Sequence, residues 1–198
     1  MESEPVLPVR TSRRIGASTH EIFTLLATPS RHLEFDGSGM LRGSEFDGEL
    51  CSVGDEFLMR MWYEQFGDYV MRNVVVEFEP DRRIGWAPVR HDIEDDEDWE
   101  HRWIFSLDPE GPDATTVTET YDLSRSPDHA RKIMSDGTVW LKAMERTLER
   151  IEEIVATQPP RWRKTSAGAG IAPHELATRS VDRAGQSDPC GTVQLVCC

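Results

Sequence analysis

The sequence lacks several features that would place the protein at a membrane or outside the cell. It has no apolar run long enough to span a bilayer, and its N-terminus, Met1-Glu2-Ser3-Glu4, does not resemble a signal peptide. Cys51 is the one cysteine of four that precedes residue 158, so the sequence predicts no disulfide framework. These absences predict a soluble, cytoplasmic protein.

Positive charge is also scarce. The 198 residues include 22 basic and 36 acidic ones, which gives a net charge of −14 at pH 7. Residues 158–198 contain five basic and three acidic residues, so the first 157 residues carry a charge of −16. A segment with this much negative charge repels phosphate groups, which argues against nucleic acid and anionic membranes as partners. No pattern in the sequence predicts an oligomeric state.

Recognisable catalytic motifs are missing as well. The sequence contains no nucleophile–base pair, nucleotide-binding loop or metal-ligand cluster, so we predict no cofactor and no metal. The acidic run at residues 92–98 lacks the spacing and central glycine of a calcium loop, and we interpret it as a solvated hairpin tip. His20, His32 and His91 show no ligand spacing, and we predict that they lie on the surface.

The strongest positive signal is an amphipathic helix near residue 157. Ser126-Pro127 is typical of a helix start, and Gly137 separates a short lead-in helix from a long one over Thr138–Thr157. Apolar residues then recur in steps of three and four, at Leu141, Met144, Leu148, Ile151 and Val155. At 1.5 Å per residue, the long helix would extend about 30 Å and span a small domain.

The preceding residues predict a sheet for this helix to cover. Val6–Ile15 has strand character, and Ser18 with Glu21 forms a capping box for the first of two short helices. After Gly54 the apolar residues alternate with period two through about six strands separated by short turns. The order predicts an α+β fold, in which a curved antiparallel sheet of about six or seven strands wraps around the long C-terminal helix.

The last 41 residues differ in kind from the rest. Thr165–Gly170 has the composition of a linker, and no sustained period follows it. The three cysteines of this segment fit no zinc pattern: Cys190, Cys197 and Cys198. We therefore predict a folded domain over residues 1–157 and a disordered tail over residues 158–198.

Five motifs in this order carry a family resemblance. They are Ala17–Pro29, Asp36–Gly39, Val53–Phe57, Phe78–Trp86 and Thr116–Asp122. Together the motifs resemble the START-like (SRPBCC) superfamily with its helix-grip fold, and most closely its bacterial polyketide cyclase/dehydrase-like branch, from about Pro8 to Thr157. The resemblance implies a cavity between sheet and long helix that binds apolar or aromatic small molecules of a lipid- or polyketide-like kind. It does not imply a reaction, because the fold hosts binders as well as enzymes.

Side chains assigned to the inward face of the sheet and helix are candidate ligand contacts. Methionines and flat aromatic rings suit a flexible apolar guest, although the same side chains can simply fill a core. The candidates are Met59, Met61, Val74, Trp86, Trp103, Tyr121, Trp140, Leu141 and Met144.

Three ionisable residues share the predicted inward phases: Arg72, His101 and Glu119. A charge on an apolar face must be paired or functional, so Arg72 and Glu119 are candidates to pair with each other. His101 is placed to orient or protonate a carbonyl-bearing ligand. The alternative is that these side chains reach solvent at the rim of the sheet.

Three functions fit these observations, and binding of a small hydrophobic molecule ranks first because no chemical motif favours catalysis. The second is a cyclase- or dehydratase-type enzyme in which His101 or Glu119 transfers a proton while Arg72 polarises a carbonyl. The third is a protein-interaction module of the chaperone-coactivator kind, which the same superfamily contains.

Overall fold

The computed structural model describes residues 7–90 and 99–157. Short 3-10 turns at Pro29–Arg31 and Ser135–Trp140 precede the second and fourth of its α-helices. In chain order the elements are β1 (Val9–Ile15), α1 (Thr19–Leu26), α2 (His32–Phe35), β2 (Leu41–Ser44), β3 (Glu56–Tyr63), β4 (Gly67–Glu79), β5 (Arg83–Arg90), β6 (Arg102–Pro109), β7 (Thr115–Asp122), α3 (Asp128–Ile133) and α4 (Leu141–Thr157).

The seven strands form one antiparallel sheet in the order β1-β7-β6-β5-β4-β3-β2. Each of β3 to β7 pairs with the strand that precedes it, and β1 closes the far edge against β7. Helix α4 contacts β1 and β7, and also packs on α2. This arrangement confirms the predicted helix-grip α+β fold.

One face of the sheet packs against α1 and α4, and we call it the helix-covered face. Its central residues are buried together with apolar residues of the two helices, as expected for an amphipathic helix on an open sheet. The members of this core include Ile22 and Leu26 of α1, Leu148 and Ile151 of α4, and Phe57, Met59, Val75, Ile84, Trp86, Phe105, Leu107 and Val117 of the sheet.

The ends of the helices differ in how well the sequence predicts them. Ser18 and Glu21 form the predicted capping box of α1. The long helix, by contrast, begins at Leu141 and not at Thr138, because the preceding residues form a 3-10 turn. Ser126 is buried and does not cap α3, which begins at Asp128 after Pro127, so the predicted helix start there is wrong.

A close contact fixes α4 against the loop after α2. The amide of Gly37 donates to the hydroxyl of Thr147 at 3.1 Å. A Cβ atom on Gly37 would lie 2.6 Å from the backbone nitrogen of Thr147 and still closer to the carbonyl oxygen of Ala143. Only glycine lets the loop approach the helix backbone this closely.

Strand β4 departs from the predicted alternation of inward and outward residues. In β4 the buried residues are Tyr69, Asn73 and Val75, so Arg72 and Val74 lie on the opposite phase, and the assignment of both to the inward face is wrong. A register shift between Val75 and Glu77 changes the phase within the strand. A single period therefore does not describe the whole of β4.

The predicted strand through Trp99 and His101 begins later than expected. Glu100 has φ 49°, which breaks the extended chain, and β6 begins at Arg102. Strand β2, by contrast, was not predicted individually.

The predictions for His91, residues 92–98 and residues 158–198, including their three cysteines, concern residues outside the described ranges.

Two further findings bear on the function. Among the described residues, no helix is long and apolar enough to cross a membrane. Within the same residues, no group of three or more His, Cys, Asp and Glu side chains is arranged to hold a metal ion.

Candidate functional site

Three aromatic side chains meet on the helix-covered face near the start of α4. Trp103 of β6 and Tyr121 of β7 are register partners, with ring centroids 4.4 Å apart. Trp140, from the 3-10 turn before α4, meets Trp103 edge-on at 5.9 Å and Tyr121 at 6.3 Å. We call Trp103, Tyr121 and Trp140 the aromatic cluster.

The aromatic cluster forms a small apolar centre with neighbouring elements. Tyr121, Leu123 and Met144 are buried there, and the half-buried side chains of Val9 and Met134 pack against them. Met144 lies on the apolar stripe of α4, which explains why the helix covers this end of the sheet. Trp103 also contacts the main core and therefore joins the two clusters.

Glu119 lies two residues before Tyr121 on β7, so both side chains face the same side of the sheet. It is only 4% exposed, and its register partners are Phe105 of β6 and Thr11 of β1. Its Oε2 atom has no hydrogen-bond partner within residues 7–90 and 99–157. A carboxyl group in such a place is costly to ionise.

Burial raises the pKa of Glu119 well above its ordinary value, and the nearby negative charge of Asp36 raises it further. The neutral acid can donate a hydrogen bond as well as accept one. Glu119 is therefore suited to contact a polar group of a bound molecule or to transfer a proton to it.

The polar atoms of Tyr121 and Trp140, like Oε2 of Glu119, are buried without a normal hydrogen bond within the described ranges. Neither the Tyr121 hydroxyl nor the Trp140 indole nitrogen makes a hydrogen bond of normal geometry with any described residue. Burial raises the pKa of Tyr121, and the neighbouring Trp140 indole N–H opposes the rise. Together with Glu119, these groups supply three buried polar atoms beside apolar surface, an arrangement typical of a small-molecule site.

Asp36 supplies the fixed negative charge near Glu119. Its carboxylate accepts from the amides of Ser38 at 3.0 Å and Leu41 at 3.2 Å, and also from the Ser38 hydroxyl. These bonds hold the loop that follows α2. The loop that positions Asp36 is the same loop that contacts α4 through Gly37.

His32 is a buried residue that the sequence analysis misplaced. It is 3% exposed, and its Nε2–H donates to the carbonyl of Leu26 at 2.8 Å. Its ring stacks on Trp86 at 5.0 Å, and burial lowers its pKa to about 4. The prediction that His32 lies on the surface is therefore wrong. One signal in the sequence was available: His32 lies three residues before Phe35, so the two rings share a face of a helix, and they are 5.1 Å apart.

The remaining ionisable candidates lie in different places. His101 precedes β6, and its ring contacts the edge of Tyr121 at 5.7 Å, beside the aromatic cluster. Arg72 forms an ion pair with Glu56 at 2.7 Å on the opposite side of the sheet, so the predicted pairing with Glu119 is wrong. His20 is exposed and contacts Asp81, as expected for a surface residue.

The other apolar candidates divide between the two ends of the helix-covered face. Trp86 and Met59 are buried in the main core, and Met61 packs against it. Met144 joins the aromatic cluster, and Leu141 is half-buried at the start of α4. The predicted residues therefore do not form a single surface, and only part of them surrounds the three buried polar atoms.

The architecture of the chain is a helix-grip α+β fold. Solved structures of bacterial proteins share this fold. Protein NE0264 of Nitrosomonas europaea has a TM-score of 0.58 at 14% identity, over 79% of this chain and 98% of its own. The AHSA1-like protein of Aeromonas hydrophila has a TM-score of 0.53 at 14% identity, over 78% and 99%.

Comparison with curated proteins identifies relatives in sequence. Uncharacterized protein Rv0088 of Mycobacterium tuberculosis is 33% identical over 133 residues, which are 66% of this chain and 52% of the relative. Uncharacterized protein MT0096 from another strain of that organism is 32% identical over the same share. This chain thus spans about half the length of the curated relatives it matches. No family model matches the chain.

Proposed function

We propose that the protein binds an apolar or aromatic small molecule between the helix-covered face of the sheet and α4, in contact with the aromatic cluster. The resemblance to the polyketide cyclase/dehydrase-like branch of the superfamily supports this function. The flat rings of Trp103, Tyr121 and Trp140 suit a planar guest, and Met144 can adjust to its shape.

The observation that carries the proposal is the set of unpaired polar atoms on Glu119, Tyr121 and Trp140. Buried polar groups are almost always hydrogen-bonded, and each one that is not costs about 1–3 kcal/mol. Among the described residues these three make no hydrogen bond of normal geometry, although the Trp140 indole N–H lies close enough to the Tyr121 hydroxyl to oppose the rise of its pKa. A ligand with a polar group would supply the missing hydrogen bonds while its apolar part contacts the rings.

Binding is tested with N-phenyl-1-naphthylamine, an uncharged dye that fluoresces in apolar surroundings. We expect saturable enhancement with one dye per chain and displacement by 2-naphthol and by 2-methylnaphthalene. Absence of a saturable signal, together with no heat of binding for the two naphthalenes, would overturn the proposal.

A matched pair of variants locates the site. Tyr121→Phe removes one buried hydroxyl without changing the ring, so it should weaken 2-naphthol about fivefold, the value of a hydrogen bond of about 1 kcal/mol. Its affinity for 2-methylnaphthalene should not change. Tyr63→Phe removes the hydroxyl of an exposed tyrosine and should leave both affinities unchanged. Equal behaviour of the two variants would place the ligand elsewhere.

Catalysis of the cyclase or dehydratase type is a second candidate function, favoured by one observation. Burial raises the pKa of Glu119 well above its ordinary value, which favours an acid that can protonate a leaving hydroxyl group. The resulting carboxylate can then take up the proton lost from the adjacent carbon as the double bond forms. Arg72 takes no part in this version, because it is on the other side of the sheet.

Dehydration is tested with 4-hydroxy-4-(2-naphthyl)butan-2-one, which loses water to give a conjugated enone with strong near-ultraviolet absorbance. If Glu119 is the acid, wild-type protein forms the enone and Glu119→Gln does not, although the variant still binds the dye. No enone from the wild-type protein, or equal rates in both proteins, would count against this function.

A further inference from the structure

The absence of a cationic partner for Glu119 defines the chemistry of its site more closely. Buried carboxylates in proteins are normally paired with a cation, because an isolated buried charge is expensive. Within the described ranges, Glu119 makes no ion pair, and Asp36 adds a second acidic group close enough to raise its pKa. Within these ranges the Glu119 carboxyl group therefore lacks a counter-ion.

Two arginines on neighbouring elements make other contacts. Arg13, two residues beyond Thr11 on β1, pairs with Glu152 at 2.7 Å and with Glu149 at 3.8 Å, both on α4. Arg150 of α4 donates to the backbone carbonyl of Asp36. Neither arginine forms an ion pair with Glu119.

The aromatic neighbours of Glu119 on the sheet carry no charge. Phe105 is its partner on β6, and Tyr121, two residues further along β7, is a neutral phenol. His101 contacts the ring of Tyr121 at 5.7 Å. The faces of aromatic rings attract cations, so Trp103 and Tyr121 add to the preference that Glu119 and Asp36 create.

On this basis we propose that the site takes a hydrophobic cation: an aromatic or aliphatic amine whose ammonium group pairs with Glu119 while its apolar body contacts the aromatic cluster. The inference rests on the proposed binding function and names the class of ligand. It separates this ligand from a neutral ketone or alcohol, which would need only hydrogen bonds from Glu119, Tyr121 and Trp140.

A cationic ligand makes a distinctive thermodynamic prediction. Burial favours the neutral form of Glu119 in the free protein, whereas an arriving ammonium stabilises the carboxylate, so binding is expected to pass carboxyl protons to the buffer. Proton release of one equivalent makes the affinity rise about tenfold per pH unit below the pKa of Glu119 in the free protein. A neutral ligand releases no proton, and its affinity does not vary with pH in this way.

The test is calorimetric titration of the full chain with 2-naphthylmethylamine and with 2-naphthylmethanol, in buffers of different ionisation enthalpy. The amine remains protonated between about pH 5 and 8, because alkylamines titrate well above that range. We expect the amine to bind at least tenfold more tightly than the alcohol at pH 7 and to release up to one proton, with none released by the alcohol.

Two Glu→Gln variants, one at the buried position and one on the surface, provide the control. Glu119→Gln removes the buried carboxyl, and we expect it to abolish proton release and to reduce the amine's affinity to that of the alcohol. Glu145→Gln removes an exposed carboxyl of α4 and should leave both properties unchanged. An equal loss in the two variants would show that the effect does not depend on the buried carboxyl and would overturn the inference.

The outcomes separate this inference from the function on which it rests. If the dye and both naphthyl compounds fail to bind, the proposed function fails. If the alcohol binds as tightly as the amine and no proton is released in the wild-type protein, the binding function stands and the cationic class of ligand is refuted, whether or not Glu119→Gln folds.

Discussion

The contact between Gly37 and α4 makes the sharpest prediction about the fold. Replacing Gly37 by alanine adds a Cβ atom 2.6 Å from the nitrogen of Thr147 and closer still to the carbonyl oxygen of Ala143. Both obstructing atoms belong to helix backbone and cannot rotate away as a side chain would. The loop and α4 must therefore separate.

The cost has two parts. Overpacking a well-filled contact costs about 1–3 kcal/mol, and loss of the hydrogen bond from Gly37 to Thr147 adds about 1 kcal/mol. The expected destabilisation of Gly37→Ala is thus about 2–4 kcal/mol. For a domain of this size, that corresponds to a fall in Tm of roughly 5–15 °C.

Gly16→Ala is the matched control, because a Cβ atom there has no neighbour within 4 Å. Its backbone is not in the left-handed region, so we expect a change within about 0.5 kcal/mol or a slight stabilisation. Urea unfolding followed by tryptophan fluorescence gives both free energies of unfolding. Equal stabilities of the two variants would refute the reasoning that this loop is held against the helix backbone.

Three other measurements test individual groups. The folded-state pKa of His32, about 4, lies below its unfolded value near 6.5, so its contribution is present above pH 6.5 and lost as pH falls toward 4. Wild-type protein should lose about 3 kcal/mol of unfolding free energy over this range relative to His32→Gln, and parallel pH profiles would contradict the burial of His32. The folded-state pKa of Glu119 is raised, so stability is lost as pH rises above about 4.5, and Glu119→Gln should be more stable than wild type at pH 7. A less stable variant at pH 7 would mean that the carboxyl is ionised and paired. Arg72→Ala breaks a half-exposed pair with Glu56, so it should cost less than about 1 kcal/mol and leave dye binding unchanged, whereas a large loss of binding would return Arg72 to the site.

The sequence predicted the fold well because its main signals are local. The stripe through Met144, Leu148 and Ile151 defines the buried face of α4, and the Ser18–Glu21 box defines the start of α1. Short turns between successive strands leave antiparallel pairing as the simple arrangement, which the sheet confirms.

The site was harder to predict because its geometry depends on irregular backbone. A register shift within β4 moved Arg72 to the other side of the sheet, and the positive φ of Glu100 ended the alternation before β6. Burial of His32 depends on contacts with distant residues such as Trp86. A period-two pattern does not reveal a register shift or a long-range contact. The alternation of β7 is regular, so the inward position of Glu119 was predicted correctly, whereas that of Arg72 was not.

Nuclear magnetic resonance of the indole N–H groups during titration with N-phenyl-1-naphthylamine tests the central claim most directly. Trp103 and Trp140 belong to the aromatic cluster, whereas Trp62 is 41% exposed under the guanidinium of Arg42. We predict that the Trp103 and Trp140 signals shift with saturation at one dye per chain while the Trp62 signal does not move. Shifts confined to Trp62, with Trp103 and Trp140 unaffected, would contradict a binding site between the sheet and α4.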